Sequence, residues 1–212
     1  LWNPYHHSDL QDPEYQLKSY NFPYQILTEG KLENSLNEKR IRLIRDNLSD
    51  IHKTNYDSII RYVPSWSESK VIENCSVDMI FSQAVMEHVK DLKTSYSAMF
   101  SWLKSGSIMA HQIDFKSHGI ADEWNGHWSY SDLTWKLIMG KRPYLINREP
   151  LSTHIKLLNE NGFKVIDVIP TKDYLSDTYK DSIQRSQLAN KYRDLSDEDF
   201  TTTSAYILAK KS

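Results

Sequence analysis

The chain is short of cysteine. Cys75 stands alone among 212 residues, which excludes an internal disulfide framework and suits a reducing compartment. A cytoplasmic location is the expectation. Long apolar runs are missing as well: nothing approaches the roughly 18 residues that a membrane span needs, so no membrane partner is expected. No signal peptide is read either, because the chain opens on Leu1 without a charged start leading into an apolar stretch. It reads as a piece of something longer. Surplus charge is lacking too, since 26 Lys and Arg against 28 Asp and Glu leave a formal net charge of −2. A broad basic footprint, and with it a nucleic-acid partner, is disfavoured.

What is present suits a globular α/β domain. Hydrophobic residues make up only 39%, but aromatic residues make up 12% and can carry a core. Residues 1–34 are polar and aromatic, broken by Pro4, Pro13 and Pro23. Ser35 and Glu38 have capping-box spacing, and Ile41, Ile44, Leu48 and Ile51 form a helical stripe. Residues 58–63 read as a strand stopped by Pro64, and 77–82 as a buried parallel strand. Leu92, Tyr96, Met99, Phe100 and Leu103 then mark one face of a helix that Gly106 is expected to end. A strand over 107–113 follows. Further on come a helix over 152–161 stopped by Gly162, a strand over 163–169, a helix over 181–195 and a last strand over 202–209. Strands alternating with helices argue for an open α/β sheet.

From Val77 the sequence is more particular. Val-Asp-Met-Ile-Phe-Ser-Gln-Ala-Val-Met-Glu-His-Val is followed by an amphipathic helix and by Leu103-Lys104-Ser105-Gly106. This set resembles a class I S-adenosylmethionine-dependent methyltransferase of the methyltransferase type 11-like kind, with Leu-Lys-Ser-Gly-Ser in place of the family's Leu-Lys-Pro-Gly-Gly turn. The resemblance spans residues 55–210. It implies a Rossmann-like methyltransferase sheet with a C-terminal antiparallel hairpin, incomplete at the N-terminus. The family's glycine-rich cofactor loop has no counterpart, because the six glycines include no G-x-G. Such a loop lets backbone amides approach a nucleotide-like cofactor closely. The first strand and its loop are therefore expected upstream of Leu1. The expected organisation is one methyltransferase-like domain: an irregular segment 1–34, a Rossmann-like core 35–114, an aromatic acceptor-covering insertion 115–154, and C-terminal helices and hairpin strands 155–212.

The resemblance implies that the cofactor, S-adenosylmethionine, meets Ser65 and Trp66 after the third strand of the family's sheet, and Ser82 and Gln83 after the fourth. His88, beside Glu87, would open the next helix close to the pocket. His111 and Asp114 fall at the carboxyl end of a strand, the functional edge of an open α/β sheet. Methyl transfer asks the protein to align an acceptor and remove its proton, so His111 is the expected base, with Asp114 orienting a histidine or an acceptor hydroxyl. An unperturbed histidine base would make activity rise with pH through about 6.5. His111, Asp114, His118 and His127 also offer nitrogen and oxygen ligands, but their spacing matches no ligand signature and no metal is assigned. Trp124, His127, Trp128, Arg148 and His154 read as an acceptor wall, suited to a small or glycan-like molecule. Trp128 and Trp135 could equally anchor the segment to the sheet.

The reading is an S-adenosylmethionine-dependent methyltransferase acting on a small or glycan-like acceptor at oxygen. A cofactor-free binding module for a carbohydrate or protein partner, and a metal-dependent hydrolase, remain open beside it.

Overall fold

A computed structural model describes residues 28–49, 59–61, 63, 71–142, 144–172 and 181–212. The chain divides into two compact units, Leu1–Val63 and Pro64–Ser212. In the first, two helices are described, α1 (Glu29–Ser35) and α2 (Glu38–Ser49). Ile41, Ile44 and Leu48 of the expected stripe lie on α2 and Ile51 lies outside the described residues, but the expected capping box does not form. Instead Asn37 Oδ1 accepts from the Arg40 amide at 2.9 Å. The segment expected to be irregular up to residue 34 contains most of α1. Ile59, Ile60, Arg61 and Val63 are not in a strand, contrary to the reading of 58–63. Ser58 and Tyr62 lie outside the described residues, among which the sheet starts at Val77.

The second unit holds β1 (Val77–Gln83), α3 (Leu92–Trp102), β2 (Leu103–Asp114), α4 (Asp132–Met139), α5 (Leu151–Glu160), β3 (Phe163–Thr171), α6 (Asp197–Thr201) and β4 (Ser204–Lys211). The four strands form one open sheet in the order β1-β2-β4-β3. β1 and β2 are parallel and joined through α3, whereas β4 runs antiparallel to both of its neighbours. A parallel pair continued by an antiparallel hairpin is the arrangement expected for the C-terminal part of a Rossmann-like methyltransferase sheet.

Local chemistry accounts for most of these boundaries. Asp91 caps α3 by accepting from the Thr94 amide at 3.0 Å, which satisfies an orphan donor of the first turn. The apolar face of α3 lays Leu92, Tyr96, Met99 and Trp102 on the sheet. There they meet Met109 and Ile113 of β2, Leu151 and Leu158 of α5, and Ile207 of β4. The helix ends at Trp102 rather than at Gly106, which lies inside β2 with φ +78°, where the pairing with β1 changes register. Gly162, by contrast, does end its helix. It turns α5 into β3 with φ +87°, and a β-carbon there would press the Phe100 ring at 3.2 Å.

Two expectations of burial and helicity fail for a common reason, namely neighbours that the local pattern does not announce. The buried parallel strand expected over 77–82 is β1, yet Met79 and Phe81 are 53% and 74% exposed. Among the described residues β1 pairs on one side only and stands at the end of the sheet. Residues 181–195 form two short 3-10 turns at 185–187 and 190–192 instead of a helix. Their apolar side chains pack inward: Ile183, Leu188 and Tyr192 join Trp124 and Trp128 in a second small core. The aromatic segment also contains α4, a helix that its sequence pattern does not announce. Ser131 caps it by accepting from the Thr134 amide at 3.1 Å.

Candidate functional site

The carboxyl ends of the parallel strands lie side by side. Ser82 of β1 is in register with His111 of β2, and Ser82 Oγ lies 2.7 Å from His111 Nδ1. The pairing follows from the sheet itself, since residues in register on adjacent strands present side chains to the same face. A cavity of about 630 Å³ runs along this flank of β1, and Ser82, Gln83 and His111 lie at its polar end. The chain then bends at Ala84, whose φ is +52°, and the Ala84 amide donates to the Gln112 carbonyl at 3.0 Å.

His111 has an unusual setting for a base. Its ring is fully enclosed, and Nε2 has no hydrogen-bond partner. Burial penalises the cation and brings its pKa down to about 4. The limb expected near pH 6.5 is therefore displaced. Tyr96 packs edge-on against this imidazole, with ring centroids 6.0 Å apart, and its hydroxyl lies 2.8 Å from His154 Nδ1. His154 is completely buried and falls to about 3, first through desolvation and then through the nearby His111. Burial also raises the Tyr96 phenol above its ordinary range. The four side chains form a closed polar row behind the strand ends.

In front of that row lies a second group. Just after β1, residues 86–88 form a 3-10 turn that is held from across the chain. The Asn147 amide donates to the Glu87 carbonyl at 2.7 Å, and Asn147 Nδ2 donates to the Met86 and Val89 carbonyls at 2.8 and 2.9 Å. This turn puts Glu87 and His88 beside His118, which follows β2 and has φ +51°. The His88 and His118 rings meet edge-on with centroids 5.1 Å apart. Asp114 Oδ2 lies 3.7 Å from His118 Nε2 and 3.3 Å from Lys116 Nζ. Glu87 is only 3% exposed, and neither carboxylate oxygen makes a hydrogen bond of ordinary geometry. Its pKa is raised by burial, which outweighs the nearby amides and His88.

The expected acceptor wall is placed differently. Trp124 and Trp128 are each 1% exposed and line the second core, so Trp128 has the buried role that the anchoring reading gave it, and Trp124 shares that role. His127 is buried beside Trp128, and desolvation is the first cause lowering its pKa to about 3. Arg148 is buried between the rings of Trp135 and Tyr192, 4.4 and 5.2 Å from their centroids. Its guanidinium donates to the Tyr130 carbonyl at 2.8 Å and to Asp132 at 3.0 Å. His127 and Arg148 line only a small cavity, which they share with Glu87 and Asp114. Of the expected site residues, the fold brings His88 and Asp114 together at the strand ends, with Ser82, Gln83 and His111 alongside. Ser65 and Trp66 lie outside the described residues. Glu87 and His118 matter more than expected. The Glu-His dipeptide and the His-Gln-Ile-Asp-Phe-Lys-Ser-His segment carried the signal, but only the folded chain joins them.

No family model and no curated protein matches the chain. Solved structures resemble the chain at low identity. A Listeria monocytogenes protein assigned as an S-adenosylmethionine-dependent methyltransferase is 15% identical over 84% of this chain and 78% of its own, with a TM-score of 0.46. An S-adenosylmethionine-dependent methyltransferase from Mesorhizobium loti is 14% identical over 82% of this chain and 77% of its own, with a TM-score of 0.45. Geranyl diphosphate C-methyltransferase from Streptomyces coelicolor is 12% identical over 82% of this chain, with a TM-score of 0.46. The match spans 58% of that enzyme's length.

Proposed function

We propose that this chain serves an S-adenosylmethionine-dependent methyltransferase acting at an oxygen of a small acceptor. One observation supports this above others. The parallel β1-β2 pair, continued by an antiparallel hairpin, ends in polar side chains beside a cavity, and ligands of open α/β sheets bind at that edge. Ser82 and Gln83 fit the part of the cofactor site that such strand ends supply. The glycine-rich cradle for the rest is not among the described residues. When bound, S-adenosylmethionine would supply a methyl group on a positively charged sulfur.

The residues of this chain then divide the remaining work. Ser82 and Gln83 hold the cofactor's centre over the strand ends. Asp114 and His88 stand where an acceptor would approach. His111 acts through Ser82, fixing its hydroxyl, because an enclosed imidazole with a pKa of about 4 is out of reach of an acceptor proton. The carbohydrate-binding module loses its footing, since the rings it would use are core residues.

Hydrogen exchange with and without saturating S-adenosylhomocysteine tests the cofactor reading. Slower exchange at residues 80–88 is expected, and an unchanged profile there overturns it. A second expectation separates the roles of His111. A general base contributes about 10²–10⁴ in rate, whereas His111→Gln is expected to lower kcat by less than about tenfold. A loss in the larger range would return His111 to the role of base.

A further inference from the structure

We propose that Glu87, His88 and His118 form a binding site for one divalent transition-metal ion of the zinc or manganese class. One ligand atom from each of the three lies within 4.8 Å of those of the other two. Bond lengths of about 2.0–2.2 Å to nitrogen and oxygen would draw this triangle inward by small side-chain rotations. The backbone around it is already fixed, at one corner by Asn147 clamping the 86–88 turn and at another by the end of β2.

Two independent observations point to a cation. The first is the Glu87 carboxylate, which is buried and has neither a hydrogen bond of ordinary geometry nor an ion pair with any lysine or arginine among the described residues. Burying such a group is costly unless a positive charge meets it, and a metal ion does so with directional bonds. The second is the orientation of His88. Its Nδ1 lies 2.8 Å from the Tyr144 carbonyl oxygen. A carbonyl can only accept, so Nδ1 carries the hydrogen and Nε2 keeps its lone pair for a ligand. Metal-binding histidines are held in this way by an outer partner. Asp114 stands next to His118 and adds a further carboxylate at the rim.

The donor set selects the ion. Two imidazoles and one carboxylate suit zinc, manganese or ferrous iron better than magnesium or calcium, which favour oxygen ligands. Three protein ligands leave coordination positions open. Here the inference builds on the methyltransferase reading in one respect: an acceptor hydroxyl bound at an open position would lose its proton more readily, which relieves the need for a strong base. Ion binding itself does not depend on that reading.

The test uses the chelator-stripped protein titrated with Mn²⁺ alone and followed by electron paramagnetic resonance. One bound ion per chain is expected, with imidazole nitrogen coupling visible in pulsed spectra of the wild-type protein. Glu87→Gln, close in shape and free of the buried charge, is expected to weaken binding by at least about tenfold, the lower bound seen even for outer partners. His118→Gln should do the same. Absent binding, absent nitrogen coupling, or equal affinity in Glu87→Gln overturns the site. Calorimetry with S-adenosylhomocysteine, run without metal, reads the cofactor half separately. Cofactor binding without ion binding removes the metal site only, and ion binding without cofactor binding removes the enzyme reading only.

Discussion

Lowering the pH from 7 to about 4.5 is expected to cost the second unit roughly 5 kcal/mol of stability through two buried imidazoles alone, with the buried His127 adding to the loss, much of what a domain of this kind possesses. The cause is the closed row behind the strand ends. His111 and His154 have pKa values of about 4 and about 3 in the folded chain, against about 6.5 when unfolded. Their stabilising contribution is fully present above the unfolded value. As pH falls below it, the unfolded chain gains protons that the native chain refuses, so stability drops. Each group costs about 1.4 kcal/mol per pH unit, and the two together cost about 2.7. Thermal melts followed by circular dichroism between pH 7 and 4.5 measure this directly. His154→Gln should roughly halve the slope attributable to the pair. A melting temperature that stays flat down to pH 5 would contradict the burial of both imidazoles.

Replacing Arg148 should be nearly as damaging, and for reasons unrelated to any acceptor. Arg148→Ala leaves the Tyr130 carbonyl without its donor and opens a gap between Trp135 and Tyr192. Unsatisfied buried groups cost about 1–3 kcal/mol each, and the ring contacts add about 2 more when desolvated. A loss of about 3–5 kcal/mol is expected, lowering the melting temperature by roughly 6–20 °C for a domain of this size. The Asp132 contact adds little, because that carboxylate is 69% exposed. Arg148→Lys should recover only a small part, since an ammonium cannot fill the same flat slot. If instead the melt is unchanged while KM rises, Arg148 belongs to acceptor binding after all.

The sequence was legible where the local pattern and the tertiary neighbours agree. The α3 stripe, the Gly162 stop, the two parallel strands and the final hairpin all carry signals within a few residues of themselves. Elsewhere the outcome depended on distant partners. Residues 181–195 have enough helix-compatible character to mislead, but Trp124 and Trp128 draw Ile183, Leu188 and Tyr192 inward in irregular turns. Arg148 and His154 looked like ligands for an acceptor because an isolated charge or imidazole suggests function. Their burial is set by Trp135, Tyr192 and Tyr96, and no spacing rule connects these. The strand-end site was half visible for the same reason: Glu87-His88 and His118 are separated by the whole of α3 and β2, and only the parallel crossover joins them.

The one-sided pairing of β1 has a practical consequence for handling the protein. Among the described residues no strand pairs with the outer edge of β1, where Met79 and Phe81 are exposed, and an edge in that state is a template onto which another extended chain can add. Such growth depends on encounter between molecules, so it rises with concentration, whereas an intramolecular fold does not. Dilute samples should therefore outlast concentrated ones, and a proline placed at Met79 would act as a cap on the growing face.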